Sequence, residues 1–123
     1  MSTAPERPQA FEPRAPRWAF VCRMNDLLPG AGAAALLKGA PIAVFRLSDD
    51  RVFAIGNLDP CSNASVLSRG IVGDIDGAPV VASPIHKQHF RLEDGRCVED
   101  PAVRVPSYRA LIVDGGVVVQ IPG

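Results

Sequence analysis

Turn-forming residues punctuate this chain so closely that no stretch is left for an amphipathic helix of three turns. Five clusters do most of the cutting: residues 25–30 (NDLLPG), 48–50 (SDD), 73–77 (GDIDG), 93–95 (EDG) and 114–116 (DGG). Glycine accepts positive φ in such turns, proline pre-sets φ, and aspartate and asparagine bond their own backbone two residues on. The intervening runs are short and rich in β-branched and aromatic residues: 18–22 (WAFVC), 41–47 (PIAVFRL), 51–56 (RVFAIG), 66–72, 78–82, 89–92, 108–113 and 117–121. Residues 33–38 (AAALLK) contain good helix formers but are flanked closely by glycines, so they too read as a strand. Successive runs pair across the turns as hairpins, as 41–47 with 51–56 and 108–113 with 117–121, and Cys97-Val98 returns against 89–92. Twelve prolines, eleven glycines and evenly spaced short strands predict an all-β sandwich or barrel.

The 123 residues, 47% of them apolar, supply one core of ordinary size. Thirteen Lys and Arg against thirteen Asp and Glu leave no net charge, which argues against nucleic-acid binding, since that needs a basic surface. No apolar run is long enough to cross a bilayer. Residues 1–16 hold four prolines with Glu6, Arg7, Glu12 and Arg14. They read as a disordered or extended leader, not a signal peptide, and leave 17–123 as the folded domain. Three widely spaced cysteines, Cys22, Cys61 and Cys97, form no disulfide framework and point to a reducing cytoplasm.

Two segments interrupt the strands: residues 57–65 (NLDPCSNAS) and 83–89 (SPIHKQH). His86 and His89 stand three apart, but the nearest acid, Glu93, lies in the next turn, so no three-ligand metal set is evident. The glycines of residues 28–32 lack the strand–turn–helix setting of a phosphate loop. No residues emerge that would make the isolated chain catalytic.

Residues 60–97 resemble the cluster-binding subdomain of Rieske proteins, with a small β subdomain inserted in a β-sandwich. The matching frame is Leu67-Ser68-x-Gly70 after the first loop and Pro84-Ile85-His86 in the second, with Phe90, Leu92, Gly95 and Cys97 beyond. In that family two thiolates hold one iron and two imidazoles the other. Counted back from Leu67, the first-loop ligand positions fall on Pro60 and Ser62, and the second-loop positions on Ser83 and His86. Only His86 is a ligand type. Moving the frame to Cys61 would put Asn63 at the imidazole position and still leave the second loop without a cysteine. The resemblance therefore implies residues 57–97 as a degenerate cluster-binding subdomain, with no cofactor and no metal in this chain.

Among such proteins, the chain is similar to small subunits of assimilatory NAD(P)H-dependent nitrite reductase. The matching residues are Asp59-Pro60-Cys61-Ser62, 66–74, 79–84, Lys87-Gln88-His89-Phe90, Gly95-Arg96-Cys97 and Glu99-Asp100-Pro101, with Cys61 standing where a bulky apolar residue is usual. The resemblance implies a cytoplasmic chain that partners a large subunit carrying FAD, an iron–sulfur cluster and sirohaem. That subunit would reduce nitrite to ammonium, supported by a chain that is not catalytic alone. Asp59, Arg69, His86, Lys87 and His89 are the candidate docking residues. A functioning Rieske [2Fe-2S] ferredoxin, or a stand-alone interaction module on the same scaffold, are the alternative readings.

Overall fold

A computed structural model describes residues 17–121. Twelve strands run in chain order: β1 (Arg17–Arg23), β2 (Ala31–Leu37), β3 (Ala40–Arg46), β4 (Val52–Gly56), β5 (Leu58–Asp59), β6 (Ala64–Ser65), β7 (Ile71–Ile75), β8 (Ala78–Ala82), β9 (His89–Arg91), β10 (Ser107–Tyr108), β11 (Ala110–Val113) and β12 (Gly116–Ile121). They form antiparallel sheets in the orders β1-β12-β11, β10-β4-β3-β2, β5-β6 and β7-β8-β9. The all-β architecture expected from the turn spacing is the one observed. The leader expected over residues 1–16 lies outside the described residues. Among the described residues no helix is long and apolar enough to cross a membrane.

The position of β3 explains how the layers stack. Successive strand residues point to opposite faces, and Ile42, Ala43, Val44 and Phe45 are all fully buried. Ile42 and Val44 face one core with Leu27, Ala54, Val117, Val119 and Ile121, which joins this sheet to β1-β12-β11. Ala43 and Phe45 face a second core with Ile55, Leu67, Val81, Phe90, Leu92, Cys97 and Val105, which joins it to β7-β8-β9. A strand covered on both sides reads as a continuous apolar run, as residues 42–45 do. The small β7-β8-β9 unit is therefore packed as an outer layer against the main sheet.

Three local expectations differ from the structure. Residues 66–72 do not form one strand: Leu67–Arg69 is a 3-10 turn, and β7 begins at Ile71. The buried Leu67 anchors that turn in the second core, and Gly70 lets the chain pass the next sheet, since a Cβ there would sit 2.2 Å from the Ala82 carbonyl oxygen. Residues 108–113 are split, with β10 on β4 and β11 on β12, so the chain crosses between sheets at Arg109. Cys97-Val98 makes only an isolated bridge to Phe90, together with an amide bond from Val98 to the His89 carbonyl.

Candidate functional site

The first loop leaves β4 at Asn57, a buried residue whose every polar backbone group is used. Its amide donates to the Pro41 carbonyl at 3.0 Å, and its carbonyl accepts the Leu67 amide at 3.1 Å. Its side-chain oxygen accepts the Ser68 amide at 2.7 Å, so the loop's start is locked to the 3-10 turn at its end. Two residues on, Asp59 organises the loop itself. Its Oδ1 accepts the Cys61 amide at 2.9 Å, and its carbonyl accepts the Asn63 amide at 2.7 Å, which lets Asn63 take φ +60°. This is an Asx turn begun by an aspartate before a proline.

The second loop is built the same way around Ser83. The Ser83 amide donates to the Gln88 carbonyl at 2.8 Å and its carbonyl accepts the Lys87 amide at 3.0 Å, closing the turn. Its hydroxyl oxygen accepts the Ile85 amide at 3.2 Å. The same hydroxyl donates to Asp59 Oδ2 at 2.5 Å and so joins the two loops. Both partners are buried, Asp59 completely and Ser83 to within 1%. Burial pushes the Asp59 carboxyl up, but hydrogen bonding led by the Ser83 hydroxyl and Cys61 amide, with Ser62 adding to it, outweighs burial and holds this acid below the usual carboxylate range. A charge-assisted hydrogen bond in a dry setting is strong and fixes geometry.

Asp59 is expected from sequence among the docking residues, and the structure corrects this. Its side chain is the internal clamp between the loops, because an aspartate that closes an Asx turn points back into its own loop. Of the other expected docking residues, Arg69, His86 and Lys87 are exposed, and His89 is half-buried. His89 is held by Glu99, which accepts its amide at 2.8 Å and its ring Nδ1 at 2.5 Å. Burial raises the Glu99 carboxyl and the His89 contacts more than offset this, so it too lies below its ordinary range. Glu99 and Asn57 were not singled out by sequence. The nearest signals were the Glu99-Asp100-Pro101 match for one and a polar residue directly after an apolar strand for the other.

The two loops and the strand ends that flank them expose several apolar side chains. Pro60, Cys61 and Pro84 are exposed, with Leu58 41%, Ile85 47% and Ile71 78% exposed. Leu58 pairs with Ser65 at the base of the first loop and Ile71 with Ala82 at the base of the second. Arg69 and Lys87 supply positive charge beside these residues, while the Asp59 carboxylate is turned inward to Ser83.

The donor set at the loops does not fit a Rieske cluster. Pro60 has no donor atom, Ser62 and Ser83 offer neutral hydroxyls, and the Ser83 hydroxyl is engaged by Asp59. Cys61 is exposed at the loop, whereas Cys22 and Cys97 are built into the packing, where burial pushes their thiols up and keeps them from thiolate chemistry. Among the described residues no group of three or more His, Cys, Asp or Glu is gathered to hold a metal ion.

Fold and loop frame together define a Rieske-type domain, and residues 17–120 match the family described as Rieske-like [2Fe-2S] domain. The chain is 48% identical over 108 residues to the nitrite reductase (NADH) small subunit of Salmonella typhimurium, covering 87% of this chain and 98% of that protein. It also superposes on the solution structure of the NAD(P)H nitrite reductase small subunit from Erwinia carotovora. There the TM-score is 0.74 at 47% identity, over 86% of this chain and 82% of that one. The chain belongs to the nitrite reductase small-subunit family. A third relative is the NAD(P)H nitrite reductase large subunit of Klebsiella oxytoca, 40% identical over 100 residues, which is 81% of this chain but only 10% of that polypeptide.

Proposed function

We propose that this chain is a cluster-free small subunit of NAD(P)H nitrite reductase, acting in the cytoplasm. It docks through its two-loop tip on a large subunit that carries FAD, an iron–sulfur cluster and sirohaem and reduces nitrite to ammonium. The observation that carries the reading is the buried Asp59–Ser83 bond, a protein clamp at the point where Rieske loops are joined through iron. Loops held this way present a fixed surface at little entropic cost on binding. The Klebsiella relative adds support: a stretch like this chain forms part of a large-subunit polypeptide there, and covalent linkage of two modules raises their effective concentration for each other.

The tip dictates the complementary surface. An apolar centre at Leu58, Pro60, Pro84 and Ile85, bordered by Arg69, His86 and Lys87, suits an apolar patch bordered by carboxylates. Combining Arg69→Glu with Lys87→Glu is expected to leave the fold intact, since both side chains are exposed. It should weaken association with the large subunit by about tenfold or more, mainly through slower and less salt-sensitive binding. Surface plasmon resonance at several ionic strengths checks this, and wild-type affinity in the double variant would remove the tip from the interface. NADH-dependent nitrite reduction by the large subunit, assayed with and without this chain, tests the supporting role. Equal activity in the two cases would exclude it.

A further inference from the structure

The Gly95-Arg96-Cys97 segment contains one residue that packing leaves unexplained. Gly95 has φ +78° and faces the Val105 carbonyl too closely for any side chain, and Cys97 lies in the second core. The Arg96 backbone bridges to Arg104, yet its exposed guanidinium makes no hydrogen bond or ion pair among the described residues. It lines a crevice of about 400 Å³ on the outer face of the β7-β8-β9 sheet, away from the second core. The floor is Val80, with Ile75 on one side and Val98 and Pro101 on the other.

Arg91 stands beside Arg96 in this crevice. It pairs in register with Val80, and its amide donates to the Arg96 carbonyl at 2.9 Å, so its side chain shares the crevice face. Its own acidic neighbours are loosely held: Glu93 lies at 3.4 Å from Nη2 and Asp94 at 3.6 Å from Nε, and the Nε is shielded from solvent without a hydrogen bond. Asp76, in the β7–β8 turn, is the one acid among the lining residues. The unpartnered Arg96 guanidinium, beside an Arg91 whose hydrogen bond to Glu93 and ion pair with Asp94 are long and not bidentate, stands over an apolar floor of ligand-sized volume, a setting that suits a carboxylate.

We infer that this crevice binds a carboxylate carried on an apolar stem, the stem lying on Val80 and Val98 and the carboxylate between Arg91 and Arg96. Such a group could come from a free small acid or from an acidic side chain of the large subunit. The site is separate from the loop tip and does not depend on the docking reading.

Titration of the isotope-labelled full chain, followed by amide NMR shifts, tests it with hexanoate as the probe and hexan-1-ol and acetate as controls. Hexanoate is expected to shift the Val80, Cys97 and Val98 amides saturably. Hexan-1-ol, without the charge, and acetate, without the stem, should each bind far more weakly. Arg96→Gln, at an exposed side chain, should weaken hexanoate binding about tenfold while leaving the remaining spectrum in place. Non-saturable shifts, equal shifts with hexan-1-ol, or undiminished binding to the variant would overturn the site. Repeating the titration with the large subunit present separates the sources. Competition between hexanoate and that subunit identifies its acidic side chain as the ligand, and independent binding identifies a free acid.

Discussion

Asp59→Ala is expected to lower the stability of this domain by about 3 kcal/mol and its melting temperature by on the order of 10 °C. The substitution removes the acceptor for the buried Ser83 hydroxyl and for the Cys61 amide at once, and leaves both without the partner that organises their loops. Ser83→Ala removes the link between the loops and the acceptor for the Ile85 amide. It leaves the Asp59–Cys61 turn and the backbone bonds of the second loop, so it should cost less and splay the tip. Thermal unfolding followed by circular dichroism measures both, and an Asp59→Ala variant as stable as wild type would mean the clamp contributes nothing.

The same pair predicts a pH dependence of definite sign. Because the folded-state acid is held below its unfolded value, its contribution is fully present above the unfolded carboxylate range near 4. It is lost as pH falls through the lower folded value. The stability gap between wild type and Asp59→Asn should therefore be constant at neutral pH and shrink below about pH 4. A gap that widened on acidification would contradict the assignment.

Gly95→Ala carries the other large expected effect. The residue has φ +78°, and a Cβ would lie 2.1 Å from the Val105 carbonyl oxygen. That carbon cannot be accommodated by rotating a side chain, because its neighbour is backbone. The Gly95 amide donates to Arg91 and its carbonyl accepts from Val105, so a shift would break the bonds that pin the turn after β9. A loss of about 4 kcal/mol is expected from overpacking and the strained dihedral together, enough to leave little folded protein at 37 °C. Gly73, with open space around it, is the control: Gly73→Ala should stay within about 1 kcal/mol of wild type by chemical denaturation.

Much of this architecture is legible in the sequence because the turns carry their own chemistry. The hairpins at Ser48-Asp49-Asp50 and Asp114-Gly115-Gly116 need positive φ at Asp50, Asp114 and Gly115, and the residue types announce it. The burial of β3 on both faces is visible in its unbroken apolar run. Residues 66–72 mislead because Leu67, Ile71 and Val72 have strand-like composition. What breaks the strand is the close approach of Gly70 to Ala82, a contact between segments far apart in sequence. The split at Arg109 is likewise set by which sheet each half can reach. At the loops, the positions of Pro60, Ser62, Ser83 and His86 could be counted from the flanking frame. The inward turn of Asp59 could not, because it depends on meeting Ser83 from the other loop. An aspartate before a proline signals an Asx turn, and that local rule was the available hint that its side chain points inward.

On the proposed reading, these loops are held by protein groups instead of iron. The most direct measurement is iron and acid-labile sulfide per chain, with the visible spectrum, on protein purified anaerobically from iron-replete cells. The prediction is a colourless protein with far less than one iron per chain, which nonetheless unfolds cooperatively and supports nitrite reduction by the large subunit. Two irons and two sulfides per chain with the absorption of a [2Fe-2S] centre would contradict it.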